Sequence, residues 1–247
     1  KENPQAPIYP RVFIFGAKAA PSYAYAKSII KVINEVANLV NHDHTIGDKL
    51  KIVFLPNYNV SLAEKIIPAA DVSEQISLAS KEASGTSNMK LMLNGAITIA
   101  TLDGANVEIR DAVGDENIYI FGLTEAEVYA YYENKNYSSR EVYETNPIVH
   151  RVLNAFVDGS IPNIEREGQE IVDSLLLYND EYFLLRDFDA YCKAQARLNQ
   201  DYQDATHWQK CSLINIANAG TFSADKTVKQ YAEDIWQIEP LFAHKGR

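Results

Sequence analysis

Lys90 follows Thr86 by four residues and Ser87 by three, in the run Glu82-Ala83-Ser84-Gly85-Thr86-Ser87-Asn88-Met89-Lys90-Leu91-Met92-Leu93-Asn94-Gly95. Small and hydroxyl residues lead straight into an amphipathic stretch, so residues 84–87 are expected to form a loop that enters a helix. Such a helix start leaves backbone N–H groups unpaired and carries the positive end of the peptide dipoles. The hydroxyls and amides of Thr86 and Ser87 would then sit where an anion, above all a phosphate, is held. A spacing of four puts Lys90 on the face of Thr86, and helical side chains lean back over the preceding turn. A phosphate at the turn beside an amine suits a molecule with a phosphate at one end and an aldehyde at the other. Pyridoxal phosphate has that shape and would be held covalently by Lys90 as a Schiff base. Met89, Met92 and Leu93 would supply apolar walls, and removal from water would favour the neutral amine. The same residues also suit a plain cap and turn, followed by a lysine pointing into water.

The elements that must position this segment alternate in type. Residues 11–16, 51–56, 72–78, 96–101 and 118–122 are β-branched or apolar runs of strand length. Between the first two, residues 19–40 repeat apolar side chains at three and four, through Ala26, Ile29, Ile30, Ile33, Val36, Ala37 and Val40. Residues 61–67 read as a short helix stopped by Pro68. Strands alternating with helices predict a parallel α/β sheet. After Gly122 the chain reads as helices joined by polar turns. Asn146 as cap, Pro147 at the first helical position, Val149, Val152, Leu153 and Phe156 on one face and Gly159 as the stop delimit one of them. Residues 223–236 give another, with a stripe through Val228, Tyr231 and Ile235. The expected fold class is thus α/β, a Rossmann-like three-layer sandwich with a helical C-terminal layer. No Gly/Ser/Pro-rich linker divides it, so residues 1–247 are expected to form one domain, with the sheet over 1–122 and helices over 123–247.

Composition excludes several classes. The net charge of −10 argues against a nucleic-acid partner, and no apolar run nears the roughly 18 residues of a membrane span. Cys192 and Cys211 are expected to be reduced, buried thiols of a cytoplasmic protein. His42, Asp43 and His44 lie in a polar turn whose spacing fits no zinc pattern, so no metal is expected. No Gly-x-Ser-x-Gly elbow surrounds Ser61 or Ser73, and Gly16-Ala17-Lys18 is neither a P-loop nor a dinucleotide fingerprint. Asp103-Gly104 reads as a turn. The tyrosines between 129 and 143 read as packing for the helical layer, with a dimer contact as the second choice.

Taken as a string, residues 82–90, followed by Asn94-Gly95-Ala96 and Thr101-Leu102-Asp103-Gly104-Ala105-Asn106-Val107-Glu108, resemble the cofactor-lysine block of the α-glucan phosphorylases, the glycogen, starch and maltodextrin enzymes. Ala17-Lys18-Ala19-Ala20-Pro21, Asn57-Tyr58, residues 60–65, 67–71 and 73–77, Asn215-Ile216-Ala217 and Phe222-Ser223 extend the resemblance over nearly the whole chain. It implies the C-terminal half of a GT-B type glycosyltransferase, of bacterial type. The implied enzyme is a hexosyltransferase of glycogen catabolism, usually dimeric and in some members allosteric. Its partners would be an α-1,4-glucan and inorganic phosphate, and its product α-glucose 1-phosphate formed with retention. Pyridoxal phosphate would sit covalently on Lys90, its own phosphate serving in acid/base catalysis. Residue by residue, the resemblance assigns Thr86 and Ser87 to the cofactor phosphate and Tyr58 and Asn59 to the cofactor pocket. It gives Glu82 a glucose hydroxyl to accept, and the N–H groups of Ala83, Ser84 and Gly85 the same sugar. Lys90, Glu82 and Thr86 are the residues expected to carry catalysis.

Asn59 stands where many members have an arginine facing the cofactor phosphate. The resemblance also implies that the family's N-terminal domain, its basic phosphate-binding segment and a central sheet strand lie outside this chain, so that the 247 residues alone are expected to be inactive. Two other readings compete. One is a folded, non-catalytic assembly module; the other is a transaminase, in which amino-group transfer would be seen and borohydride reduction would abolish activity.

Overall fold

The computed structural model describes residues 9–239, and its strands occupy the β-branched runs of the first half. They are β1 (Arg11–Phe15), β2 (Leu50–Phe54), β3 (Val72–Gln75), β4 (Ile97–Ala100) and β5 (Tyr119–Ile120). The α-helices are α1 (Ala24–Asn41), α2 (Val60–Ile66), α3 (Ser87–Leu93), α4 (Asn106–Val113), α5 (Glu125–Asn134), α6 (Ser139–Thr145), α7 (Pro147–Ala155), α8 (Glu165–Val172), α9 (Leu184–Asp201), α10 (Ala205–Asn218) and α11 (Ala224–Gln230). None of the described helices is long and apolar enough to cross a membrane. The described residues form two compact units: those up to Ile66 with Gly122–Asn199, and Ile67–Phe121 with those from Gln200 onward.

In the first unit β1 and β2 pair in parallel, with Phe13 opposite Ile52 and Ile14 opposite Val53. A parallel pair needs a crossover, and α1 supplies it, packing on β2 and against α8. Val32 of α1 joins Val149, Leu153, Ile164, Ile171, Leu175 and Leu185 in one buried cluster. Helix α7 starts as its sequence demands. The Asn146 side chain accepts the N–H groups of Ile148 and Val149 at 3.0 and 3.2 Å, and Pro147 occupies the first turn. Val149 and Leu153 are buried while Val152 is not, so the apolar face is narrower than the sequence suggests. Tyr131 and Tyr137 pack on Phe183 at centroid separations of 5.3 and 4.8 Å, as expected of a helical layer. One face of the β1–β2 pair is bare: Val12, Ile14 and Val53 are 56%, 50% and 38% exposed.

The second unit is a three-stranded parallel sheet in the order β3-β4-β5. Every residue of the central strand β4 is buried, which is why Ile97-Thr98-Ile99-Ala100 shows no alternation of apolar and charged residues. Helix α3 connects β3 to β4, and α4 connects β4 to β5. Met92, Ile109, Val113, Ile118 and Ala219 form the core on these helices. Trp208 of α10 stacks on Tyr119 of β5 at 6.5 Å.

Several expectations change. The described strands form two parallel ladders rather than one sheet, because β1 pairs with β2 and β3 with β4, with no ladder joining the pairs. Helix α1 begins at Ala24 and not at residue 19, since the Tyr23 N–H bonds the Ala20 carbonyl in a turn around Pro21. The stripe of residues 223–236 is not a packed face among the described residues: Val228, Tyr231 and Ile235 are 55%, 46% and 66% exposed. Both cysteines are free thiols, but only Cys211 is buried; Cys192 lies on the exposed side of α9.

Candidate active site

The segment around Lys90 sits at the C-terminal end of β3 in the second unit. After Gln75 the chain leaves the sheet and loops through residues 76–86 before α3 begins. Ser80 and Gly85 both adopt φ of +83°, the left-handed region, so the loop is sharply folded. Thr86 is the N-cap residue, yet its hydroxyl makes no capping bond. The Lys90 N–H bonds the Thr86 carbonyl at 3.2 Å, which places the two residues one turn apart. Asn94 and Gly95, with φ of +87°, end the helix.

The turn after β4 holds this loop. The Asp103 carboxylate, 4% exposed, accepts the Ser80 N–H at 2.9 Å and the Glu82 N–H at 2.7 Å. The Ala105 N–H donates to the Ser84 carbonyl at 2.8 Å. The Asn88 amide donates to the same carbonyl at 3.3 Å and to Asn106 Oδ1 at 3.0 Å, while Asn88 Oδ1 accepts the Met89 N–H at 2.9 Å. Asn106 in turn donates to the Thr101 carbonyl at 3.2 Å, and the Thr101 hydroxyl to the Ser77 carbonyl. The Ser87 hydroxyl meets the Gln75 side chain at 3.2 Å, linking the helix start to the end of β3.

What this scaffold leaves open is a row of donors. The N–H groups of residues 83–87 have no protein acceptor among the described residues. Lys90 is exposed and forms no ion pair among them. Glu82, Thr86 and Ser87 are also exposed, and Ala83, Ser84 and Gly85 complete the open stretch. Backbone donors, two hydroxyls and an uncommitted amine form a set that fits a phosphate-bearing, amine-reactive group.

The structure therefore gathers Glu82, Ala83, Ser84, Gly85, Thr86, Ser87 and Lys90 on one loop and helix start. Tyr58 and Asn59 belong to the other unit. Tyr58 lies against Gly16, where a Cβ would stand 2.7 Å from its ring. Asn59 serves the start of α2, accepting the Leu62 N–H at 3.2 Å and donating to the Asn57 carbonyl at 2.8 Å. Two details expected around Lys90 are corrected. Met92 is wholly buried in the core and walls no pocket, and Leu93 is 44% exposed. The amine is not withdrawn from water, because a seven-residue helix with Asn88 and Met92 on its buried face turns Lys90 outward. Asp103, Asn88 and Asn106 escaped the sequence reading as supports. A carboxylate three residues after the buried run of β4 was the available signal, since such a position is near the core and needs donors.

The first unit holds a separate cleft of about 910 Å³, lined among others by Tyr131, Tyr137, Asn146, Arg186, Asp187 and Lys193. Burial pushes the Asp187 carboxyl up to about 6, against the opposing pull of the Leu123 N–H and of Arg186. Burial likewise raises Asp180, whose carboxylate accepts the Tyr137 hydroxyl at 2.8 Å and the Leu185 N–H at 2.7 Å. Among the described residues no cluster of three or more His, Cys, Asp and Glu side chains could hold a metal ion.

The family model described as carbohydrate phosphorylase matches residues 1–238. The chain is 53% identical over 241 residues to the glycogen phosphorylase of Bacillus subtilis, covering 98% of this chain and 30% of that protein. It is 48% identical over 242 residues to the glycogen phosphorylase of Synechocystis, and 46% over 244 residues to the human liver form, covering 28% of each. The chain thus spans less than a third of the length of these relatives. By this match over nearly its whole length, the chain belongs to the carbohydrate phosphorylase family.

Proposed function

We propose that the whole protein to which this chain belongs is an α-glucan phosphorylase, and that this chain supplies its pyridoxal-phosphate-binding portion, part of the C-terminal half of a GT-B fold. The activity is the attack of inorganic phosphate on a terminal α-1,4-linked glucose, releasing α-glucose 1-phosphate. The observation that carries the reading is the open donor row of residues 83–87 beside the uncommitted amine of Lys90, in a chain of this family.

Each residue has a role within that reading. Lys90 holds the cofactor covalently. Thr86 and Ser87 hold its phosphate, the former through a hydroxyl that no cap bond occupies. Glu82, with an exposed carboxylate and a backbone anchored on Asp103, accepts a glucose hydroxyl. The N–H groups of Ala83, Ser84 and Gly85, which have no acceptor among the described residues, bind the same sugar. When bound, the cofactor supplies a phosphate group that titrates near neutrality, suited to giving and taking a proton at working pH.

The test has two arms. The full-length protein is treated with pyridoxal phosphate and borohydride and digested, and the labelled peptide is mapped. Label is expected on Lys90; label on another lysine refutes the assignment. Phosphorolysis of maltodextrin is then measured before and after reduction. Activity retained after reduction agrees with the phosphorylase reading and excludes a transaminase.

A further inference from the structure

We propose that Asp103 is a positioning residue of this site, whose buried carboxylate holds the loop so that the donor row of residues 83–87 stays open to an anionic ligand. The proposal rests on the reading of that loop as the cofactor site. Asp103 itself lies behind the loop, its two oxygens each occupied by a backbone N–H, from Ser80 and from Glu82. Hydrogen bonds to an ionised carboxylate are roughly twice as strong as neutral ones. They are needed here because Ser80, a residue with a Cβ, is held at φ of +83°, a conformation that persists only where its surroundings over-determine it.

The neighbouring bonds close the clamp. The Ser84 carbonyl receives both the Ala105 N–H and the Asn88 amide, so it is turned inward, toward the turn. With the Ser84 carbonyl committed inward and the Glu82 N–H tied to Asp103, the stretch between them has little freedom. A loop ordered in advance loses less entropy when a ligand binds.

A positioning role and a purely electrostatic one predict opposite signs. A carboxylate near an anion site repels the anion, so neutralising Asp103 would tighten binding if charge alone mattered. If Asp103 acts by holding the loop, Asp103→Asn weakens binding, since its NH2 group faces one of the two N–H donors and cannot accept from it.

The experiment uses the full-length protein and compares wild type, Asp103→Asn and Val113→Ala, a core truncation on α4 of the same unit. Half-saturation by pyridoxal phosphate is read from the bound cofactor's absorbance, its phosphorus resonance by 31P NMR, and apoprotein stability by thermal melting. Asp103→Asn is expected to raise half-saturation at least tenfold and to broaden the resonance. Val113→Ala is expected to lower the melting temperature yet leave half-saturation within twofold. Unchanged or tighter binding by Asp103→Asn overturns the proposal, as does equal weakening by Val113→Ala. Should Asp103→Asn fail to fold, hydrogen exchange of the wild-type apoprotein decides: slow exchange of the Ser80 and Glu82 amides is expected, and rapid exchange overturns the clamp. Wild type that takes up no cofactor sinks the site reading and this role together, whereas normal uptake with an indifferent Asp103→Asn sinks this role alone.

Discussion

A Cβ on Gly104 would stand 2.5 Å from the carbonyl oxygen of Ser84, so the turn after β4 touches the loop before α3 backbone to backbone. Only glycine permits that approach, and Gly104 also sits at φ of +51°, where a side chain is strained. Gly104→Ala is expected to cost about 1–3 kcal/mol, through backbone strain and a forced shift of Ser84. Urea midpoints of the two proteins check this; equal midpoints would show that the contact relaxes freely.

Met92 is predicted to matter for stability rather than for the ligand. It is fully buried with Ile109, Val113, Ile118 and Ala219, so Met92→Ala should cost roughly 2–5 kcal/mol by leaving a cavity. Borohydride labelling of Lys90 in the folded variant should proceed as in wild type. A variant of normal stability that no longer takes label would put Met92 in the pocket after all.

These two residues show what the sequence could and could not convey. The loop-into-helix at residues 84–87 was legible, because small hydroxyl residues before an amphipathic run have few other uses. So was the α7 start, where Asn146 and Pro147 each satisfy a local rule. Met92 was misplaced because a seven-residue helix has too few positions for periodicity to show which side is buried. Asp103 was read as a mere turn residue, since its two bonds reach back 23 and 21 positions to amides that no local pattern marks. Which strand each run pairs with was likewise hidden from the residues themselves: β1 and β3 are both apolar runs, and only the strand that the resemblance places outside this chain pointed to a gap in the sheet.

The acid behaviour of the first unit should depend on Asp187. Its carboxyl titrates near 6 when folded, against an ordinary value of about 3.9 unfolded. The folded state therefore holds the proton more tightly, and the stabilisation this gives is fully present below about 4 and lost as pH rises through 6. Asparagine removes the buried charge while still accepting the Leu123 N–H, bonded at 3.0 Å in the native protein. The melting temperature of Asp187→Asn relative to wild type is thus expected to be more favourable at pH 7 than at pH 5. The same difference at both pH values would refute the assignment.

Thiol chemistry should separate the two cysteines. Cys192 is exposed, although burial of the sulfur and the charge of Asp189 raise its thiol and slow its reaction at neutral pH. Cys211 is buried, with its sulfur 3.6 Å from His207 Nε2. Ellman's reagent should titrate one thiol in the native protein, faster as pH rises, and two in denaturant. Two thiols reacting at once under native conditions would contradict the burial of Cys211.

The strand pair β1–β2 has a consequence for anyone handling this polypeptide. Parallel strands are ordinarily covered on both sides, and a lone pair is marginal in water. Here Val12, Ile14 and Val53 form a greasy strip on a ribbon that, among the described residues, pairs with no third strand, and an edge left unpaired can template further strands. At high concentration such a ribbon invites stacking and clumping, and lysine in place of Val12 or Ile14 is the natural remedy for poor solubility.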